Sequence, residues 1–255
     1  MLWSIPRAGV RALTVAQDSL IALTNGEIEI YRYSPEAYLA QMASGLGQTT
    51  LLALSNVGSE DASATVEFFN DNGDGLAVPV EGVGSVDNLV VTVPAGSSKR
   101  VQINQVSSGV VVGWIRVTAN QTVRASSIYQ FSDDDEITHE AGVGDASASG
   151  SGNVLVTVGG AFNTGIAIAN PTDETASITL TLLDAQGDQL DQATLTIDPL
   201  GHTAQFVAEF FDTTFPAEGF EGTVVFESDV PVTVAALRTK DQLQMSSYPV
   251  GQVVK

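Results

Sequence analysis

Residues 51–76, LLALSNVGSEDASATVEFFNDNGDGL, align without a gap to residues 165–190, GIAIANPTDETASITLTLLDAQGDQL, at a constant offset of 114. Asn56 meets Asn170, Glu60 meets Glu174, Ala62 and Ser63 meet Ala176 and Ser177, and Gly73-Asp74 meets Gly187-Asp188. Downstream, Pro94-Ala-Gly96 aligns with Pro199-Leu-Gly201, and residues 113–128 (GWIRVTANQTVRASSI) align with 222–237 (GTVVFESDVPVTVAAL). The offset changes only between blocks, where a shared fold tolerates loops of different length. One unit of roughly 100 residues is used twice, within the ordinary size of a domain.

Each unit reads as short strands and turns. Residues 179–183 alternate apolar and polar, Asp184-Ala-Gln-Gly187 carries turn residues, and residues 193–197 alternate again, the pattern of a hairpin with one buried face. Residues 222–228 and 232–238, separated by Asp229-Val-Pro231, predict a second hairpin. Helical periodicity is confined to residues 204–211 (AQFVAEFF). About seven strands per unit, with frequent turns, point to an immunoglobulin-like β-sandwich. The predicted fold is all-β: two tandem immunoglobulin-like antiparallel sandwiches (46–141 and 154–255), joined by a Gly/Ser linker at 142–153 (GVGDASASGSGN).

Residues 1–45 differ in character. Residues 19–23 and 27–33 flank Asn25-Gly26, a type I′ hairpin signal. Ser34-Pro35-Glu36 predicts the start of a short helix, with Ser34 as cap, running to Ser44 and stopping at Gly45. So small a segment holds no core of its own and has to pack on something else.

Four blocks of the second unit, 162–171 (FNTGIAIANP), 180–187 (LTLLDAQG), 199–211 (PLGHTAQFVAEFF) and 219–238 (GFEGTVVFESDVPVTVAALR), together resemble a paired β-sandwich repeat common at the C-termini of large secreted or surface proteins of bacteria. The resemblance covers about residues 46–250. It implies an extracellular or cell-surface, non-catalytic module appended to a larger protein. The first unit departs from the pattern at Asn56-Val57, where the repeat has Asn-Pro, and in a longer hairpin after Gly75.

Composition narrows the chemistry. Thirty acidic against ten basic residues give a formal charge of −20, which repels phosphate backbones and anionic lipid heads. Nucleic acid is therefore excluded as a partner, and no stretch approaches the roughly 18 apolar residues of a membrane span. Residues 1–7 are followed by no apolar run of the kind that forms a leader. Without cysteine there is no disulfide, thiolate metal site or thiol nucleophile. His139 and His202 stand alone, and no Gly-x-Ser-x-Gly occurs, so no catalytic triad is predicted and the chain reads as a non-enzyme.

Four groups of residues remain as candidate sites. Asn70, Asn72, Asp74 and Glu81 fall at the spacing of a calcium loop, with a turn rich in Asn, Asp and Gly as the competing reading. Asp133-Asp-Asp-Glu136, near His139 and Glu140, is the densest acidic run and reads as a solvated turn. Trp114 and Arg116 alternate onto one strand face with Arg124 on the next strand, and with Lys99 and Arg100 they predict a contact patch for an acidic surface or a glycan. Leu20, Ile21, Ile28, Ile30 and Tyr31 lie in the N-terminal hairpin, which predicts a strand added to another subunit's open sheet and self-assembly into a fibre or surface layer. The alternative, a glycan-binding or adhesion module, calls for exposed rings drawn from Trp3, Tyr31, Tyr33, Trp114 and Tyr129.

Overall fold

The computed structural model describes residues 10–16, 19–24, 27–32, 36–133, 136–241 and 244–252, with side chains described for 36–132, 136–241 and 244–252. The described chain is all-β, built from antiparallel sheets, with a single four-residue helix. At the N-terminus β1 (Val10–Ala16), β2 (Ser19–Thr24) and β3 (Glu27–Arg32) form a three-stranded sheet. The β2–β3 pairing sets Leu20 against Tyr31 and Ile21 against Ile30, as the hairpin signal predicts. The Asn25-Gly26 turn lies outside the described residues, and β1 adds a strand that the sequence did not announce.

In the first unit, β4 (Glu36–Ser44), β11 (Val111–Ala119), β6 (Ala62–Phe69) and β9 (Asn88–Val93) form one sheet in the order β4-β11-β6-β9. The other has the order β13-β12-β5-β10-β7-β8, from β5 (Gln48–Asn56), β7 (Val78–Val80), β8 (Gly84–Val86), β10 (Ser98–Ile103), β12 (Val123–Asp133) and β13 (Glu136–Gly144). Their inner faces close on one core that includes Met42, Leu52, Leu54, Phe68, Ile103 and Ile115.

The helix expected over 34–44 is strand β4. Its pairing with β11 skips a residue, setting Leu39 opposite Ile115 and Met42 opposite Gly113. This bulge puts Leu39 and Met42, three apart, into the same core, which is why their spacing imitates a helix face. Residues 36–44 thus belong to the first unit, and Gly45 opens a tight turn that returns at Gln48.

The second unit repeats this plan. β14 (Ser149–Val158), β15 (Phe162–Ala169), β16 (Ala176–Leu183), β17 (Gln189–Ile197) and β18 (His202–Phe206) are followed by α1 (Val207–Phe210), then β19 (Phe220–Lys240), β20 (Gln244–Tyr248) and β21 (Val250–Gln252). The first part of β19 pairs with β14 and β16, and the second part with β15 and β20. One strand therefore serves both sides of the core, which includes Val156, Ile168, Leu182, Phe226 and Val234. The Asp184 turn joins β16 to β17 in the predicted hairpin.

Three further expectations are corrected. The hairpin expected over 222–228 and 232–238 is instead the single strand β19, and its first-unit counterparts β11 and β12 each pair with other strands, residues 120–122 crossing from one sheet to the other as the middle of β19 does. The run 142–153 is also no free linker, since its ends lie in β13 and β14. Its small residues suit close packing: a Cβ on Gly152 would sit 2.4 Å from the Gly251 carbonyl oxygen. Only residues 145–148 lie between the two strands. Of the predicted 204–211 helix, only α1 is helical, and residues 204–206 complete β18.

The duplication extends to hydrogen bonds. Buried Thr50 accepts from the Ala43 amide and donates to its carbonyl, and Thr164 does the same with Thr157. Asn56 donates to the Glu60 and Val93 carbonyls while accepting from the Gly58 amide; Asn170 donates to Glu174 and Ile197 and accepts from Thr172. One aligned turn shifts by a residue. Gly96 donates to the Gly58 carbonyl, and its structural counterpart is Leu200, which donates to Thr172, so Gly96 matches Leu200 instead of Gly201.

Candidate functional site

The most elaborate side-chain constellation lies where the two units meet. Alternation along β11 puts Ile115 and Val117 into the first core and turns Trp114 the other way, as predicted. Trp114 does not face solvent, however. It is fully buried with Ala40 and Phe69 of the first unit and Ala167, Ala169 and Ala235 of the second, the alanines leaving room for the indole. Phe69 stacks on it at 4.7 Å between ring centroids, and Tyr38 lies tilted at 6.3 Å.

Polar contacts fix the same junction. The Trp114 Nε1–H donates to the Leu200 carbonyl at 2.8 Å. Leu200 holds φ +58°, where its counterpart Gly96 holds +60°. A leucine pays a steric cost that glycine escapes, and here the indole hydrogen bond and junction packing hold it in place. Beside it, His202 Nδ1 lies 2.8 Å from Asp71 Oδ1, and the His202 amide donates to the Asp71 carbonyl at 3.1 Å. The imidazole is buried and its Nε2 has no partner among the described residues, whereas Asp71 is about half exposed. The turn holding Asp71 approaches so closely that a Cβ on Gly73 would lie 2.2 Å from the Pro199 carbonyl oxygen.

The predicted calcium residues form this turn. Asn70 Oδ1 accepts from the amides of Asn72 and Asp74, and Asp184 Oδ1 accepts likewise from Gln186 and Asp188. The shared geometry is that of an Asx-type turn, made in the second unit without a matching set of ligands. Glu81 lies after β7, its amide bonded to the Gln102 carbonyl. Among the described residues no group of three or more His, Cys, Asp or Glu side chains is placed to hold a metal ion. Asp134 and Asp135 of the acidic run lie outside the described residues, while His139 contacts Thr138.

The predicted contact patch is dispersed. Arg116 forms a two-pronged pair with Glu67, at 2.8 and 3.1 Å, and lies over the Phe69 ring. Arg124 belongs to the other sheet and pairs with Asp145 at 2.6 Å. Lys99 and Arg100 are exposed on β10. Of the rings proposed as a glycan platform, Trp114 and Tyr129 are buried, Tyr129 donating to the Gln41 carbonyl; Trp3, Tyr33 and the side chain of Tyr31 lie outside the described residues. The side chains of Leu20, Ile21, Ile28 and Ile30 are likewise undescribed, and their backbones lie in β2 and β3. Alternation foretold the Trp114 face; nothing in the sequence pointed to Asp71, Leu200 and His202 as its surroundings.

No family model matches the chain, and no curated protein matches it. Among solved structures, a beta-glucuronidase from glycoside hydrolase family 2 is similar at a TM-score of 0.17 and 8% identity, over 89% of this chain and 26% of that one. A likeness this slight carries no argument.

Proposed function

We propose that the chain is a non-catalytic structural module of two tandem immunoglobulin-like sandwiches, working outside the cell or at its surface through protein–protein contacts. Residues 10–32 are the assembly segment in this reading, adding strands to an open sheet edge of another subunit. No cofactor takes part. The observation that supports it is the sealed junction around Trp114, which ties the two units into one stiff body suited to spacing and carrying its neighbours.

Light scattering on the size-exclusion peak tests this, comparing the full chain with one beginning at residue 36. The cut falls there because β4 is part of the first core. The expected result is assembly by the full chain and a folded monomer for the shortened one. Equal masses for the two would remove the assembly role of residues 10–32.

A further inference from the structure

The chain has only ten basic residues against thirty acidic ones. Among those described, Arg116 and Arg124 are neutralised by Glu67 and Asp145. Arg238 is not: no carboxylate lies within 4 Å of it among the described residues. Its guanidinium lies over the Phe162 ring, 3.5 Å from the centroid, and its Nε is buried with no acceptor among the described residues. Arg238 continues the row of β19 that carries Val234 and Ala236 into the core, and so stands at that core's open end. There Phe162, Arg238, Lys240, Gln244 and Ser246 line a cleft of about 160 Å³. At roughly 30 Å³ per water in the liquid, this is room for one small oxyanion.

The first unit closes the same place differently. Tyr129 pairs in register with Thr50, and Arg238 with the matching Thr164, so the two positions are equivalent. Tyr129 is buried, and its hydroxyl is satisfied by the Gln41 carbonyl. Lys240 stands where the first unit has Phe131. The second unit thus carries two cations where the first has buried Tyr129 and half-buried Phe131, and leaves one buried donor unpaired among the described residues, a cost that an acceptor brought by a ligand would offset.

We infer that this cleft binds a single carboxylate, with the Arg238 guanidinium as its fork and Lys240 as a second cation. Stacking on Phe162 holds the guanidinium plane, so its N–H groups present a ready-made pair of donors. The flexible Met245 side chain, which also lines the cleft, gives way as the anion enters. The carboxylate comes either from a small free acid or from an Asp or Glu of a second copy. The inference stands apart from the assembly role, because a single chain and a small anion suffice to test it.

The test is an NMR titration of the full chain with sodium acetate against sodium chloride at matched ionic strength. Saturable shifts at the Arg238 Nε–H and the Lys240 amide with acetate alone are expected. Arg238→Tyr, which installs the first unit's residue, should keep the fold and weaken acetate binding about tenfold or more. Arg238→Lys keeps the charge but loses the fork and should also weaken it. Shifts that follow ionic strength alone, or that survive in Arg238→Tyr, overturn the site. Light scattering separates the sources. Association lost in Arg238→Tyr assigns the carboxylate to a second copy, whereas unchanged mass beside saturable acetate binding assigns it to a free acid.

Discussion

Trp114 and Leu200, 86 positions apart, are joined by a 2.8 Å hydrogen bond from the indole N–H of one unit to a backbone carbonyl of the other. Removing the donor leaves that carbonyl without its partner, so Trp114→Phe should cost about 1–3 kcal/mol. Trp114→Ala also opens a cavity and should cost about 3–5 kcal/mol. Calorimetry should show one unfolding transition in the parent and two in Trp114→Ala. A single, unshifted transition in that variant would mean the units are coupled elsewhere.

Gly73 and Gly187 occupy equivalent turns at φ +84° and +88°. Alanine at either position pays about 1–2 kcal/mol for the left-handed backbone. Only at Gly73 does the new Cβ meet the other unit, 2.2 Å from the Pro199 carbonyl oxygen; at Gly187 nothing lies within 4 Å. Denaturant unfolding should therefore find Gly73→Ala clearly less stable than Gly187→Ala, and equal losses would refute the close approach.

Asn56 and Asn170 each tie a loop to a strand end, Asn56 by bonds to two carbonyls and one amide, Asn170 by bonds to three carbonyls and one amide. Alanine at either site should cost about 2–3 kcal/mol, since several buried backbone groups lose their partners together. Hydrogen exchange should localise the damage to the unit that carries the substitution. Spread across both units, it would contradict a local role.

Tyr38 and Tyr129 supply the pH test. Burial, with Glu36 beside Tyr38, raises both phenols well above the ordinary tyrosine value. A raised folded pKa means that their contribution is complete below the unfolded value near 10 and is lost as the pH rises through the folded one. In a spectrophotometric titration of the five tyrosines, these two should ionise only as the chain unfolds in alkali. Full ionisation of all five with the fold intact would disprove the burial of Tyr129 and the shielding of half-buried Tyr38.

The repeat, the β2–β3 and β16–β17 hairpins, the Asn-Gly-Asp turn and the outward face of Trp114 were all legible in the sequence, because each rests on local alternation or turn chemistry. β4 was not, since its bulge spaces Leu39 and Met42 like a helix. Nor was the sheet to which β12 belongs: a strand's own pattern records which face is buried and says nothing about its neighbours. The junction was hidden for the same reason, as Trp114, Asp71, Leu200 and His202 come together only through tertiary packing. Arg238 looked like an ordinary strand residue until Tyr129 supplied its counterpart.

The junction also sets a schedule for synthesis. Every strand of the first unit has been made once residue 144 is reached, so that unit can fold while the ribosome is still translating the second. Until Ala167, Ala169, Leu200 and Ala235 arrive, Trp114, Phe69 and Ala40 lack the second unit's share of their cover. The nascent chain therefore passes through an interval with an oily patch on display beside its acidic exterior, and a pause between codons 145 and 235 would prolong its exposure to chaperones and to other nascent chains.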